Sequence, residues 1–375
     1  MSAKQPSGGV DRRLFLAGTV AALAVPAASQ AATGDLVFYI GTYGAAGAST
    51  LSYATAYDKW TLGKSDPTLV NASFGVYSPK AKRHYIVNEQ DNGTIGVYQS
   101  NSQGKMSKKG EVSSHGKSPC YLSLDATEGY LAVANYGSGD IAVYKLDAKT
   151  GLPIEPATIK QNAGTGPNAQ RQEGPHAHWV KWSADQKFIY SIDLGTDEIL
   201  GYSFDAASGA VGDKFTAFKC EPGFGPRHMV VHSSGQVAHL VGELASAIVT
   251  LRPNPDGTFI GTQWTSSLPA DYKDPSFAAH IAYNSDGNRL YVSNRGHNSI
   301  ATFFLDATGR IGLMQHCPTG NWPRHFYIIN GLDRILVADQ NGNDLRALGM
   351  HLDGTLYTTD VTLNVTSPVF IGAVA

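Results

Sequence analysis

The chain has 375 residues, of which 42% are hydrophobic and 16% are charged, and it contains 41 Gly, 18 Tyr and 14 Phe. This composition excludes a disordered chain, which needs high charge and few aromatic residues. The net charge of −2, from 29 basic and 31 acidic residues, provides no field that would attract nucleic acid or an anionic membrane. Few charges together with many glycines and aromatic residues indicate extensive β-structure with tight turns.

Residues 1–32 are interpreted as a twin-arginine signal peptide ahead of a single domain at 33–375. Arg12 and Arg13 directly precede an apolar stretch of 12 residues at 14–25, and small residues follow it. That stretch is too short to span a bilayer, which needs about 20 residues. The order basic, apolar, small is typical of a removable signal, and the arginine pair indicates the Tat route. We therefore expect Tat export, a periplasmic location and no membrane attachment after cleavage, with a retained anchor as the alternative.

The three cysteines, Cys120, Cys220 and Cys317, cannot form a complete disulfide framework because their number is odd. The sequence contains no CxxC, no HExxH and no Cys/His cluster with zinc spacing. We therefore interpret all three cysteines as small buried hydrophobic residues.

A short β-run that ends in a polar residue recurs seven times, at intervals of 45 to 58 residues. The runs end at Thr42, Asn88, Asn135, Asp193, Glu243, Asn294 and Asp339. A short apolar strand precedes most of these runs, and a turn with a further β-run follows most of them. Roughly four short strands in each unit of about 45–50 residues are typical of one propeller blade.

The two ends of the chain complement each other. Residues 367–371 match the inner-strand pattern of residues 118–122, yet the chain stops four residues later, and the run at 38–42 has no inner strand before it. A C-terminal strand paired with the N-terminal blade would close the ring and remove the open sheet edges. The sequence therefore predicts an all-β fold, a seven-bladed β-propeller closed by that pairing. An open solenoid or two sandwiches are the alternatives.

Aligning the units places one aromatic or imidazole ring at a shared repeat position, the entry to the inner strand. The residues at this position are Tyr121, His178, His228, His280 and His325. Antiparallel partners lie equidistant from their turn, so counting from each hairpin sets these residues opposite the strand-end residue of the same blade. Since inner strands line the channel of a propeller, we expect the rings to crowd one mouth. Neutral packed histidines inherited by repeat duplication are the alternative.

Charged groups are expected at the same mouth. Arg227 directly precedes a ring position, Arg295 follows a strand end, and Glu243 is interpreted as the one glutamate among the strand-end residues. Arginine offers fixed donors for a developing oxyanion, and a carboxylate beside cationic donors can orient or deprotonate a water. The candidate set for metal-free ester chemistry is His178, His228, Arg227, Glu243 and Arg295. The absence of a GxSxG motif disfavours a serine triad.

Two further interpretations of this mouth remain. The strand-end Asn, Asp and Glu side chains are hard oxygen donors suited to Ca²⁺. Such residues more often satisfy turn backbone groups, and the neighbouring His and Arg side chains would oppose a cation, so we expect no metal and no cofactor. Aromatic residues such as Tyr136, Trp179 and Trp322 either line a sugar-sized pocket or pack between blades.

The motifs at residues 174–178 (GPHAH), 225–230 (GPRHMV) and 290–295 (LYVSNR) resemble the seven-bladed lactonase family. That family includes bacterial propeller-type 6-phosphogluconolactonase and the fungal 3-carboxy-cis,cis-muconate lactonising enzyme. The resemblance covers residues 35–375, and its most specific part is the GPRH element with Glu243 sixteen residues after its Arg. It implies a metal-independent catalytic set of His178, Arg227, Glu243 and Arg295. The substrate-binding positions expected around this set are His176, His228, His280, Arg324, His325, Asn135 and Tyr136.

The leading hypothesis is hydrolysis of a sugar lactone, gluconolactone or a related aldonolactone, to the aldonic acid. In it Arg227 and Arg295 hold the carbonyl oxygen, while Glu243, oriented by a neighbouring histidine, activates the water. An exported enzyme would meet unphosphorylated lactones rather than the phosphorylated substrate of cytosolic members. The alternatives are hydrolysis of 6-phosphogluconolactone itself, a muconate-type lactonising cycloisomerisation, and a non-catalytic binding propeller.

Overall fold

The computed structural model describes residues 35–374, which form 28 β-strands and one 3-10 turn. The strands make seven four-stranded antiparallel sheets. No helix within this range is long and apolar enough to cross a membrane. The predicted signal peptide at 1–32 lies outside the described residues.

The strands run in chain order through the seven blades, and the 3-10 turn Thr55–Tyr57 joins β2 to β3. In the first three blades they are β1 (Leu36–Thr42), β2 (Ala48–Ala54), β3 (Lys59–Asp66), β4 (Gly75–Ser78), β5 (Arg83–Asn88), β6 (Thr94–Ser100), β7 (Met106–Ser113), β8 (Pro119–Leu124), β9 (Tyr130–Asn135), β10 (Asp140–Leu146) and β11 (Pro153–Gln161). In the next two they are β12 (Ala177–Trp182), β13 (Phe188–Asp193), β14 (Glu198–Asp205), β15 (Ala210–Lys219), β16 (Pro226–Val231), β17 (Ala238–Gly242), β18 (Ala247–Pro253) and β19 (Phe259–Ser266). In the last two they are β20 (Phe277–Tyr283), β21 (Arg289–Arg295), β22 (Ser299–Leu305), β23 (Ile311–Pro318), β24 (Pro323–Ile329), β25 (Arg334–Asp339), β26 (Asp344–Met350) and β27 (Leu356–Asn364), followed by β28 (Pro368–Ala373).

The ring closes as the sequence predicts. The C-terminal strand β28 pairs antiparallel with β1, so the first sheet has the order β28-β1-β2-β3. Phe38 lies opposite Ala373 and Gly41 lies opposite Phe370. The closed seven-bladed β-propeller is therefore confirmed.

The burial of each strand follows its place in the blade. All six residues of β9 are buried, whereas in the outermost strand β27 only Leu356 is buried and the other residues are exposed or partly buried. A repeated hydrogen bond also links neighbouring blades. The buried hydroxyls of Tyr85, Tyr190 and Tyr291 donate to the carbonyl oxygens of Gly151, Gly257 and Gly354 at 2.6, 2.9 and 2.8 Å. Each tyrosine thus supplies apolar packing area and satisfies its own polar group.

Every inner strand from the third blade onward begins with a β-bulge, which the sequence alignment missed. Pro226 pairs with Gly242 and His228 pairs with Val241, which leaves Arg227 as an extra residue. The same shift leaves Cys120, His178 and Arg324 as extra residues in their strands. In the sixth blade the shift falls between Ala278 and Ile281. A bulge sets two residues against one and re-aims a side chain.

The bulges correct two predictions of register. His178 occupies the position of Arg227, one residue ahead of His228, so the alignment of His178 with His228 and His325 is wrong by one residue. The rings are also not opposite the strand ends, because His325 pairs with Ala338 and the strand-end Asp339 pairs with Pro323. Counting residues outward from the hairpin turn assumes that the two strands pair one to one, and the extra residue of each bulge makes that count wrong by one.

The three cysteines are free and buried, as predicted. Burial raises the pKa of the Cys120 and Cys220 thiols and raises that of Cys317 to about 11. All three are therefore neutral thiols at physiological pH.

Candidate active site

Two repeat positions meet at one end of the channel and supply most of its polar and charged side chains. The first is the bulge position, occupied by Cys120, His178, Arg227 and Arg324. The second is the residue that follows Thr42, Asn88, Asn135, Asp193, Gly242, Asn294 or Asp339 near the end of each blade's second strand. We call it the post-strand position, and in the sixth blade β21 extends to include it. Its residues are Tyr43, Glu89, Tyr136, Leu194, Glu243, Arg295 and Gln340. Five of these seven donate their backbone N–H to the residue just before an inner strand, as in Glu243 to Gly225 at 2.7 Å.

The post-strand position corrects the interpretation of Glu243 as a strand-end residue. The residue of this blade that matches Asp193 and Asn294 in pairing is Gly242, since Gly242 faces Pro226 and Ala247. Glu243 lies one residue further along, in register with Glu89 and Arg295. It is thus one of two glutamates at its repeat position.

Glu243 is the centre of a buried cluster of three arginines. Its Oε2 accepts from Nε of Arg227 at 3.0 Å and lies 2.7 Å from Nη2 of Arg295, while its Oε1 accepts from Nη2 of Arg171 at 2.6 Å. The Glu243 and Arg227 side chains are only 3% and 4% exposed, whereas Arg171 is 36% exposed. Arg171 is therefore the member of the cluster that faces solvent.

Backbone carbonyls fix the two deeper guanidiniums. Nη1 of Arg227 donates to the carbonyl oxygen of Ala279 at 2.7 Å. Nε and Nη2 of Arg295 lie 3.2 Å from the carbonyl oxygens of Phe277 and Ala278. Because these donors are already held, little reorganisation is needed when negative charge develops beside them.

The indole of Trp322 packs against Arg295, with the guanidinium carbon 5.6 Å from its ring centroid. Trp322 precedes an inner strand with a φ of 70°, a left-handed conformation that is strained for a bulky residue. Gly225 fills the matching place two blades earlier, with a φ of 59°. The cation–π contact provides a functional reason for accepting a tryptophan in this conformation.

The arginines dominate the electrostatics of the cluster. Burial alone would raise the pKa of Glu243, but Arg295, Arg227 and Arg171 together hold it well below its usual value. Burial lowers the pKa of Arg227 to about 9, with contributions from neighbouring cations. Glu243 is therefore a permanent anion with low proton affinity, and as a ground-state base it is weak.

His178 lies beside this cluster and is uncharged. Burial, and then the charge of Arg227, hold the pKa of His178 well below 6.5, while Glu243 partly opposes that shift. Its ring makes edge contacts with Tyr136 and His228, at centroid distances of 5.4 and 5.2 Å. Its Nδ1 lies 3.7 Å from Sγ of Cys120. A neutral imidazole is available as a proton acceptor.

A second charged group adjoins the first. Nη2 of Arg324 donates to the hydroxyl of Tyr43 at 2.7 Å, and that hydroxyl donates to Oε2 of Glu89 at 2.8 Å. The guanidinium of Arg324 also lies over the Tyr43 ring, 5.1 Å from its centroid. Burial opposes the charged form of Arg324, but Tyr43, Glu89 and Glu243 raise its pKa. The two groups therefore hold four arginines against two glutamates.

Besides Arg324, the expected substrate-binding residues Tyr136 and His176 line this mouth. The rings of Tyr136 and His176 stack at 4.5 Å, and Nδ1 of His176 lies 2.9 Å from the Tyr136 carbonyl oxygen. The Tyr136 hydroxyl accepts from Arg171 at 3.2 Å. Tyr136 thus contacts both Arg171 of the arginine cluster and the rings of His176 and His178.

Asn135, in contrast, is not brought to the mouth. It is fully buried, and its amide nitrogen donates to Ser114 O at 2.9 Å and to Asp140 Oδ1 at 2.6 Å. The strand-end Asp193 behaves alike, because it accepts from the backbone N–H groups of His176 and Gly195. Asn135 and Asp193 thus hold turns, while Tyr136, Glu243 and Arg295, each one residue further along than a strand end, contribute to the site.

The remaining histidines form a wall across the channel rather than a ring around one mouth. His228 contacts His280, with their Nδ1 atoms 3.4 Å apart, and His280 packs against His325 at a centroid distance of 4.2 Å. His228 also approaches the Arg227 guanidinium at 3.3 Å. His280 and His325, however, line a cavity that opens toward the opposite end. The expectation that all the imidazoles crowd one mouth is therefore wrong for these two.

Sequence reasoning missed Arg171, Tyr43 and Glu89. Arg171 lies in the segment 162–176 between two blades, outside the repeat register. One signal for it was present, because the longest interval between strand ends, 58 residues, falls at this segment. Tyr43 and Glu89 would have followed from extending each strand-end motif by one residue.

Among residues 35–374, no group of three or more His, Cys, Asp or Glu side chains is arranged to hold a metal ion. The strand-end oxygens considered for Ca²⁺ are engaged in part by turn backbone. Oδ2 of Asp339, for example, accepts from the backbone N–H of Gly320 at 3.0 Å.

Comparison with known proteins agrees with this architecture. The family described as "Lactonase, 7-bladed beta-propeller" matches residues 37–373. The 6-phosphogluconolactonase of Bacillus subtilis (strain 168) is 29% identical over 344 residues, which cover 89% of this chain and 97% of the relative. The structure of Pseudomonas aeruginosa periplasmic gluconolactonase has a TM-score of 0.82 and 25% identity, covering 91% of this chain and 99% of that one. A protein from Lactobacillus plantarum has a TM-score of 0.82 and 29% identity, covering 90% and 99% of the respective chains. This chain therefore belongs to the seven-bladed β-propeller lactonase family.

Proposed function

We propose that this protein hydrolyses a sugar lactone, gluconolactone or a related aldonolactone, to the aldonic acid without a metal ion. The observation that carries the proposal is the buried carboxylate of Glu243 bound by Arg171, Arg227 and Arg295 beside the neutral imidazole of His178. Membership of a lactonase family supports the same reaction class.

In this mechanism the guanidiniums of Arg227 and Arg295 receive the lactone carbonyl oxygen. Water attacks the carbonyl carbon, the C=O electron pair moves onto oxygen, and the resulting oxyanion is stabilised by these fixed donors. The tetrahedral intermediate then collapses, the ring C–O bond breaks, and the released ring oxygen takes a proton. Removing one such donor typically costs about 10²–10³ in rate.

We assign the proton transfer to His178 rather than to Glu243. Both Glu243 oxygens are engaged by guanidiniums, which lowers their proton affinity. The Cys120 thiol lies 3.6 Å from the carbonyl oxygen of Ala177, and a thiol that donates there can accept from Nδ1–H of His178. That tautomer leaves Nε2 of His178 free to take the water proton and return it to the ring oxygen. Glu243 then stabilises the imidazolium that forms.

The charge of the site suits a substrate that becomes anionic. Four arginines face two glutamates across the two charged groups, so the aldonate product and its preceding oxyanion find excess positive charge. The same excess favours 6-phosphogluconolactone as the second candidate substrate, in line with the name of the Bacillus subtilis relative. The Arg12-Arg13 leader leads us to propose a periplasmic enzyme exported by the Tat machinery, and hence an unphosphorylated lactone.

The test is hydrolysis of a panel of lactones by purified protein, with and without EDTA. The panel holds glucono-1,5-lactone, its 6-phosphate and galactono-1,4-lactone, together with cis,cis-muconate for the cycloisomerase alternative. Arg227→Met should lose about 10²–10³ in kcat/KM. Arg252→Met is the matched control, because Arg252 contacts Gln236 and Thr308 away from the cluster and should leave activity unchanged.

The possible results separate the candidates. Turnover of an unphosphorylated lactone that survives EDTA supports the proposal, and preference for the 6-phosphate selects the second candidate. Turnover of muconate alone, loss of activity in EDTA, or no turnover of any compound would each overturn it. The proposed location is tested separately, by fractionating cells that express the full chain.

A further inference from the structure

The channel has a second opening at the end opposite the charged groups. A cavity of about 410 Å³ lies there, and we call it the rear cavity. It is lined by the hairpin-side halves of the inner strands, including Tyr77, Tyr283 and Tyr327. His280 and His325 form its floor, so the histidine wall separates it from Arg227 and Glu243. Its volume falls within the range of about 300–1,000 Å³ that is usual for small-molecule sites.

The lining of the rear cavity is uncharged. None of the described residues that line it is an aspartate, glutamate, lysine or arginine. Lys181 of β12 occupies the register position of the lining residues Ala282 and Tyr327, and burial lowers its pKa. Burial lowers the pKa of His84 to about 4 and that of His280, with help from Arg227, to about 3. These imidazoles are therefore neutral at physiological pH. A charged ligand would lose its hydration here without gaining a counter-charge, so the cavity selects against ions.

Aromatic rings make up much of the wall. Tyr77 packs against His84 at a centroid distance of 4.6 Å, and Phe370 packs against His325 at 4.8 Å. Tyr39 approaches both pairs, at 5.8 Å from His84 and 5.7 Å from Phe370. Planar faces interrupted by phenol and imidazole polar atoms suit a flat ring that carries a hydroxyl.

Two glycines make room for the ring of Tyr39, which packs directly against them. A Cβ at position 75 would stand 2.3 Å from the Tyr39 hydroxyl, and a Cβ at position 372 would stand 2.3 Å from Cε1 of the same ring. Both glycines line the cavity. Any larger residue at Gly75 or Gly372 would therefore displace Tyr39.

We propose that the rear cavity is a binding site for a small neutral phenolic compound, distinct from the lactone site. The ring of the ligand packs against the partly exposed rings of Tyr77, Tyr283 and Tyr327, and its hydroxyl hydrogen-bonds a neutral imidazole or a tyrosine hydroxyl of the wall. A sugar fits less well, because the lining offers no carboxylate and few amides for its several hydroxyls. The proposal does not depend on lactone hydrolysis.

The experiment is a titration of the purified protein with p-cresol, followed by saturation-transfer NMR. The charged isostere p-toluate and the sugar methyl α-glucopyranoside are titrated in parallel. Ala282→Phe places a ring in the cavity and should weaken p-cresol binding by at least about tenfold. Val231→Phe is the matched control, because Val231 ends another inner strand outside the cavity and is already 44% exposed.

Saturable binding of p-cresol in the low millimolar range, with at least tenfold weaker binding of the other two compounds, supports the proposal. Tyr77→Leu provides a second variant that should also weaken binding, in case Ala282→Phe unfolds in the circular dichroism check. The proposal is overturned if p-cresol does not saturate, if p-toluate or the glucoside binds equally well, or if folded Ala282→Phe and Tyr77→Leu bind p-cresol like the unaltered protein.

Discussion

Glu243→Gln isolates the charge at the centre of the arginine cluster while keeping the shape of the side chain. In the unaltered protein this carboxylate contacts three guanidiniums at 2.6, 2.7 and 3.0 Å and is 3% exposed. Removing one partner of a buried ion pair costs about 3–5 kcal/mol, because the remaining charge stays buried and uncompensated. In Glu243→Gln both Arg227 and Arg295 would remain buried and charged without a carboxylate to compensate them. We expect the free energy of unfolding to fall by about that amount, a large fraction of the 5–15 kcal/mol typical of a folded protein.

The assay is equilibrium unfolding in urea, with Glu198→Gln as the matched control. Glu198 pairs with Lys219 at 3.3 Å, but that lysine is 58% exposed, so losing this pair should cost about 0–1 kcal/mol. The folded-state pKa of Glu243 is depressed, so its stabilisation is present above pH 4.5 and is lost as the pH falls toward the folded-state value. If Glu243→Gln loses no more unfolding free energy than Glu198→Gln, the carboxylate of Glu243 does not stabilise the arginine cluster.

Three further outcomes follow from the structure. Arg171→Ala should lower kcat/KM by only about tenfold, less than Arg227→Met, because its half-exposed guanidinium is replaced by water; an equal loss in the two variants would contradict this. If neutral His178 is the base, its lowered pKa keeps it active below pH 6.5, so kcat/KM should decline only in more acidic solution. An acid limb centred at or above pH 6.5 would exclude that role. The three buried thiols should react with Ellman's reagent only after denaturation, and rapid labelling of the native protein would contradict their burial.

The fold could be predicted because it repeats. Each strand-end motif marks one blade, and the match between residues 367–371 and 118–122 correctly predicted the closing pair of β28 and β1. The buried positions of the strands also follow from their hydrophobic patterns. Repetition averages out the uncertainty of any single strand boundary.

The site could be predicted only in part, because it depends on single-residue register. The sequence correctly indicated that His178, Arg227, Glu243 and Arg295 converge, although each is distant in sequence from most of the others. It did not show the bulge that makes Arg227 an extra residue, because the first four residues of β16 are all buried and offer no polar–apolar alternation that an extra residue would interrupt. The repeat pattern placed Asn135 among the expected substrate-binding residues. A pattern cannot distinguish a side-chain amide that hydrogen-bonds the backbone, as Asn135 does, from one that faces a ligand.

A crystal structure with glucono-1,5-lactam, an unreactive analogue of the lactone, tests most directly whether Arg227, Arg295 and His178 form the lactone site. We expect its carbonyl oxygen to lie about 2.7–3.1 Å from guanidinium nitrogens of Arg227 and Arg295, with Nε2 of His178 facing the carbonyl carbon through one water. A lactam bound in the rear cavity or elsewhere on the propeller, away from all three side chains, would contradict it.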